Sequence, residues 1–191
     1  MLVGVLALQG DWREHKITLE SLGAAVIPVR TQEELGQIDA LVIPGGESTA
    51  MSNLAKSFGL FPSLRKFAKI KPVLGTCAGL IMLSDEVEGA VEGQEFVGGL
   101  DVKVSRNAYG GQTHSFEATI EFGSERERVA FIRAPRILSV GKAEVIAKLE
   151  DEPVAVKQGH LFGATFHPEI TGGVLLHQAF LEEVEQAIKG R

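Results

Sequence analysis

Short apolar runs at residues 2–8, 24–29, 40–43 and 72–74 constrain this chain more than any other feature, because helical patterns separate them. Each run is too short for a helix and rich enough in Val, Leu and Ile for a strand buried on both faces, which is the habit of parallel sheets. Residues 11–22 carry an apolar stripe through Trp12, the stems of His15 and Lys16, Leu19 and Leu22, with Asp11 as candidate N-cap and Gly23 as the stop. Thr31 and Glu34 have the spacing of a capping box, and residues 48–56, 61–69 and 80–83 read as further helices. The resulting β-α-β-α-β order predicts a mostly parallel open sheet with helices on both faces.

The texture changes after residue 100. Residues 102–104, 113–121, 129–132, 143–149, 154–157 and 161–166 are short and β-branched or alternating, which predicts added, partly antiparallel strands in the C-terminal half. An amphipathic helix over 174–188 closes the chain, and no repeat or linker divides residues 1–191, so a single domain is expected. With 191 residues the chain can bury a full core.

Composition narrows the function. The 25 acidic residues outnumber the 19 basic ones and no Lys/Arg run is present, which argues against nucleic acid or a membrane surface as partner. The longest uncharged apolar stretch, residues 73–84, falls far below the ~20 residues of a membrane span. The first residues lack a basic leader pattern, so a cytoplasmic location is expected. One cysteine, Cys77, excludes an internal disulfide and any multi-thiolate metal site, and His15, His114, His160 and His177 show no paired ligand spacing. No metal is expected.

Cys77 lies in Gly75-Thr76-Cys77-Ala78-Gly79, directly after an apolar strand and before the apolar run 80–83. That context is a nucleophile elbow, a tight strand-to-helix turn whose middle side chain points outward, and a helix N-terminus favours the thiolate of such a residue. The alternative is an inert core cysteine. His167-Pro168-Glu169 follows the run 161–166, and residues two apart on an extended chain share a side, so the imidazole and carboxylate can act together as base and orienting partner. The Gly45-Gly46 pair after the third strand can bring backbone N–H groups to an oxyanion, with Ala78 supplying another. Neither a phosphate loop nor a G-x-G-x-x-G fingerprint is present. All three elements fall at the C-terminal ends of expected strands, where open α/β sheets build their sites.

These segments resemble the class I glutamine amidotransferases and, within them, the glutaminase subunits of pyridoxal 5′-phosphate synthases. The resemblance runs through residues 4–10 (GVLALQG), 44–49 (PGGEST), 75–81 (GTCAGLI), 106–107 (RN), 131–135 (FIRAP) and 167–169 (HPE). It implies a flavodoxin-like fold, Cys77 as nucleophile, His167 as general base and acid, and Glu169 as its orienting partner. The oxyanion hole would be Gly45, Gly46 and Ala78. Glutamine would be held by Gly46, Glu47, Ser48, Arg106, Ile132 and Arg133, and the family often has Arg where this chain has Gly111.

The same resemblance implies hydrolysis of L-glutamine through a γ-glutamyl thioester, with no cofactor. Ammonia would pass to a separate (β/α)8-barrel synthase subunit in a large hetero-oligomer, with Gln9 and Gly10 coupling docking to the site. Competing readings are a cysteine peptidase or γ-glutamyl hydrolase of related fold, and a catalytically silent regulatory subunit.

Overall fold

A computed structural model describes residues 1–106 and 115–190. In chain order the elements are β1 (Leu2–Leu6), α1 (Trp12–Ser21), β2 (Ala25–Val29), α2 (Gln32–Gln37), β3 (Ala40–Ile43), α3 (Ser48–Ser57), α4 (Phe61–Ala68), β4 (Val73–Thr76) and α5 (Ala78–Leu83). The second half adds β5 (Ser84–Glu88), β6 (Leu100–Ser105), β7 (Phe116–Phe122), β8 (Glu125–Phe131), β9 (Arg136–Val140), β10 (Glu144–Leu149), β11 (Glu152–Gln158), β12 (Leu161–Ala164), α6 (Pro168–Thr171) and α7 (Leu175–Lys189).

The nine-stranded sheet has the order β2-β1-β3-β4-β12-β11-β10-β7-β8. Its first five strands pair in parallel and the remaining pairs are antiparallel. The buried strands β3, β4 and β12 are the ones whose sequences read as continuous apolar runs. Pro28 interrupts β2 without harm because β2 is an edge strand and needs hydrogen bonds on one side only. One hydrophobic cluster, around Leu41, Ile43, Met51, Phe61 and Leu80, covers one face. The other is covered by Leu19, Phe131, Phe162, Phe166, Leu176, Phe180 and Val184, and Phe162 meets Phe180 of α7 edge-on at 5.9 Å.

The mostly parallel sheet with added antiparallel strands agrees with the sequence reading, and the differences are local. β5 and β9 fall outside the expected strands; with β6 they form a second, three-stranded sheet. Ser84-Asp85-Glu86-Val87-Glu88 carries almost no apolar signal because three of its five residues are exposed. Thr31 and Glu34 do form the capping box. Asp11, by contrast, makes no side-chain cap on α1, and its Oδ2 lies 3.7 Å from His167 Nδ1 instead. The expected strand 161–166 leaves the ladder after Ala164. Residues 113 and 114 of the run 113–121 lie outside the described residues, as does His114.

The topology decides where a site can form. β1, β3, β4 and β12 are adjacent and parallel, so the loops after Leu6, Ile43, Thr76 and Ala164 all open at one edge of the sheet.

Candidate active site

β4 leads into Cys77 with no intervening loop, and the turn is strained. Cys77 has φ 49° and ψ −104°, a conformation that costs a side-chain-bearing residue of order 1–3 kcal/mol. Three contacts hold it there. Its N–H donates to the Ala164 carbonyl of β12 at 2.8 Å. A Cβ on Gly75 would overlap the Gly79 backbone, and one on Gly79 would overlap the Ile43 carbonyl oxygen at the end of β3. The two glycines of the G-x-C-x-G run are therefore needed because α5 starts in direct contact with its neighbours. Cys77 is 5% exposed, and its Sγ lies 3.7 Å from the Ile132 carbonyl oxygen.

His167 reaches the same place from β12. Past Ala164 the chain remains latched: Thr165 N–H donates to Val154 O at 2.9 Å and His167 N–H to Ala130 O at 2.7 Å. His167 is extended, but Pro168 then opens α6, so Glu169 is presented by a helical turn and not by the extended segment that the sequence suggested. The pairing itself is tight, with Nδ1 to Glu169 Oε1 at 2.8 Å. Burial opposes a charge on the ring, yet hydrogen bonds to Cys77 and Glu169, together with their charges, push the His167 pKa up to about 10. Burial pushes Glu169 up, while the bond to His167 pulls it back. With Nδ1 engaged by Glu169, Nε2 is left to exchange a proton with the sulfur.

Cys77 and His167 open on a cleft of about 320 Å³ lined also by Gln9, Gly10, Gly46, Glu47, Ser48, Ala78, Arg106, Ile132 and Arg133. Gly45 packs beneath His167, where a Cβ would overlap the ring at Cε1. The Gly45 carbonyl accepts from Asp11 N–H at 3.3 Å, and Gln9 Oε1 accepts from Glu47 N–H at 2.9 Å. The loop carrying Gln9 and Gly10 thus touches the Gly45-Gly46 loop directly.

Glu47 and Arg106 are not independent groups. The Glu47 carboxylate caps α3 through Thr49 N–H and Ala50 N–H and pairs with Arg106 Nη2 at 3.0 Å. Although burial opposes it, these backbone bonds and Arg106 keep the Glu47 pKa below the usual carboxylate value. Arg106 also donates to Thr49 Oγ1 and Gln94 Oε1. Ser48 follows the cap and accepts from Gln94 Nε2 at 3.2 Å. Arg133 is exposed at φ 46°. Gly111 lies outside the described residues.

Sequence reasoning missed His15 and His177. Both are fully buried, His15 Nδ1 lies 2.9 Å from His177 Nε2, and His15 Nε2 lies 3.4 Å from Glu169 Oε1. The signal was an imidazole on an apolar helical stripe, at 15 with Leu19 and at 177 with Phe180 and Val184. Donor atoms of Asp11, His167 and Glu169 lie within 4.8 Å of one another, a spacing open to a metal ion; the hydrogen bond between His167 and Glu169 already accounts for their proximity.

Burial pushes the His177 pKa down to about 4 from an ordinary 6.5. Between those values the unfolded imidazole takes up a proton and the folded one does not, so stability rises with pH across that window. The gap corresponds to about 3 kcal/mol. Urea unfolding is expected to show that loss between pH 7 and pH 4, and His177→Phe is expected to flatten the slope. An unchanged slope in the variant would place the acid sensitivity elsewhere.

A cysteine at a strained elbow and an imidazole from the adjacent strand end thus open on one cleft. A solved structure described as a glutamine amidotransferase superposes with a TM-score of 0.90 at 44% identity, covering 96% of this chain and 98% of its own. The structure of PurLQS from Thermotoga maritima shares the fold at TM-score 0.64 and 16% identity, over 99% of this chain and 97% of its own. The model of the SNO glutamine amidotransferase family matches residues 5–186, and the chain belongs to that family. The pyridoxal 5′-phosphate synthase subunit PdxT of Clavibacter sepedonicus is 52% identical over 97% of this chain and 92% of its own length.

Proposed function

We propose that this chain is a single-domain glutaminase that hydrolyses L-glutamine to L-glutamate and ammonia and hands the ammonia to a pyridoxal 5′-phosphate synthase subunit. The observation that carries the reading is the 2.8 Å His167–Glu169 pair beside Cys77 at the mouth of the cleft. The high His167 pKa suits the imidazole to take the Cys77 proton as general base. The thiolate attacks the carboxamide carbon, and the carbonyl electrons move onto oxygen, which faces N–H groups of the Gly45-Gly46 loop and Ala78. The Glu47 N–H is already taken by Gln9, which favours Gly46 and Ala78 as donors. The C–N bond then breaks as His167 protonates the leaving nitrogen, releasing ammonia and leaving a γ-glutamyl thioester. His167, now neutral, takes a proton from water, whose oxygen displaces the sulfur to give glutamate.

Glutamine's α-ammonium and α-carboxylate suit a wall that carries both charges of the Glu47–Arg106 pair, with Ser48, Ile132 and Arg133 completing it. Ammonia released into neutral water becomes mostly ammonium, which is no nucleophile, so the acceptor must be shielded. Kinship with PdxT supports a separate synthase polypeptide in that role. A (β/α)8-barrel partner, a large hetero-oligomer and a cytoplasmic setting belong to the same proposal. Contact of Gln9 and Gly10 with the Gly45-Gly46 loop gives docking a short path to the oxyanion donors. No helix among the described residues is long and apolar enough to cross a membrane.

Glutamate release from glutamine, measured with this chain alone and mixed with a synthase subunit, tests the reading. Turnover is expected to rise on mixing and to be weakened by Gln9→Ala. No glutamate from the mixture, or cleavage of peptides in preference to glutamine, would overturn it.

A further inference from the structure

Behind the triad stands a buried chain of imidazoles that hydrolysis by Cys77, His167 and Glu169 does not use. His15 on α1 places Nε2 2.9 Å from Thr76 Oγ1 and 3.4 Å from Glu169 Oε1. Its other nitrogen, Nδ1, lies 2.9 Å from His177 Nε2 on α7. The side chains of His15 and Glu169 are fully enclosed, as is His177. Among the described residues neither Glu169 Oε2 nor His177 Nδ1 has a hydrogen-bond partner.

Those orphan atoms select one proton arrangement. If His177 donates from Nε2 to His15 Nδ1, then His15 must carry its proton on Nε2, where it donates to Thr76 Oγ1 with Glu169 Oε1 beside it, and His177 Nδ1 is a bare lone pair. The opposite arrangement would let the Thr76 hydroxyl donate to His15 Nε2, but it would bury a His177 N–H without an acceptor, which is costly in a dry interior. Burial, reinforced by the neighbouring His177 and His167, holds His15 well below its ordinary pKa, so the ring is neutral and has a single proton to place.

We propose that His15 is a positioning residue for the triad: its Nε2–H, hydrogen-bonded to Thr76 Oγ1 and 3.4 Å from Glu169 Oε1, turns the positive end of its dipole toward that oxygen and steadies it in line with His167 Nδ1, and His177 locks the tautomer that makes this possible. The proposal rests on reading Cys77, His167 and Glu169 as the glutaminase triad. Glu169 gains from such a neighbour because it is enclosed, its Oε2 has no partner among the described residues, and a carboxylate held by one bond can rotate or take up a proton. The charged and titratable groups facing this cluster are His167 and Glu169 at the start of α6, His177 on α7, and Asp11 ahead of α1.

The test uses the chain assembled with its synthase subunit. His15→Phe fills the space without a donor, and kcat for glutamate release is expected to fall about tenfold with KM unchanged, since His15 does not line the cleft. His15→Gln puts an amide N–H where the imidazole Nε2–H lies and is expected to recover most of the loss. By nitrogen NMR of labelled histidines, the His167 imidazolium should lose its proton about one pH unit lower in His15→Phe, and near the wild-type pH in His15→Gln. If His15→Phe does not fold, His177→Phe breaks the tautomer lock without touching Glu169 and should move both readouts in the same direction by less. Unchanged kcat, or a loss that His15→Gln leaves unrescued with the His167 titration unmoved, would overturn the proposal and leave His15 a packing residue. A wild-type complex that releases no glutamate would overturn the triad reading instead, while the titration would still decide the contact.

Discussion

Cys77→Gly is expected to abolish glutamate release and, at the same time, to yield a chain more stable than Cys77→Ala. Loss of the proposed nucleophile should lower turnover by roughly 10⁴-fold or more, the scale seen when a hydrolase triad loses a member that acts with the others as a unit. The stability comparison isolates the backbone. At φ 49° and ψ −104° a Cβ is disfavoured whatever it carries, and glycine is free of that penalty. Alanine and glycine both remove the sulfur, so their difference reports the strain stored at the elbow less the extra backbone entropy that glycine loses on folding, about 1 kcal/mol net in favour of glycine. Urea denaturation of the two variants measures it. An alanine variant more stable than the glycine variant by about 0.5–1 kcal/mol would mean that the turn holds no strain and that the orientation of Cys77 has another cause.

Gly45→Ala is the second large effect, and it acts on a residue that performs no chemistry. The added methyl would occupy the place of His167 Cε1, with Nδ1 and Nε2 about as close as 3.0 and 3.1 Å. The ring cannot yield without lengthening its 2.8 Å bond to Glu169, because the His167 backbone is fastened to β8. A misplacement of about 1 Å costs about 10²-fold in rate, and kcat is expected to fall by that factor or more. Gly36→Ala on α2 is the control: a Cβ there meets nothing within 4 Å, and the substitution should leave turnover unchanged while stabilising the helix by about 0.5–1 kcal/mol. Equal activity of Gly45→Ala and wild type would show that His167 has slack, and would weaken the case for a preorganised triad.

The glycines around the site separate what a local sequence can say from what it cannot. Gly75 and Gly79 announce a tight turn by their spacing around Cys77, and the turn is there. Gly45 is legible only as part of a loop, because the atom it makes room for belongs to a residue 122 positions away. His15 and His177 read as stripe residues on amphipathic helices, and their contact spans 162 positions. β5 was invisible for a different reason: an exposed edge strand has no apolar period to betray it.

Local order was written in the chain itself. Strands buried on both faces must be continuously apolar, the helices must carry a stripe, and the elbow must have glycine on both sides of the cysteine. Residues 1–83 therefore declare a β-α-β frame and a candidate nucleophile, and residues 167–169 a candidate acid-base segment. The folded structure decided which distant groups meet. The parallel order of β1, β3, β4 and β12 brings four loop ends to one edge, the helical turn of α6 swings Glu169 onto His167, and burial and close partners set the protonation of His15, His167 and His177. Proximity and desolvation arise only when segments far apart in sequence pack against one another, and no local pattern encodes them.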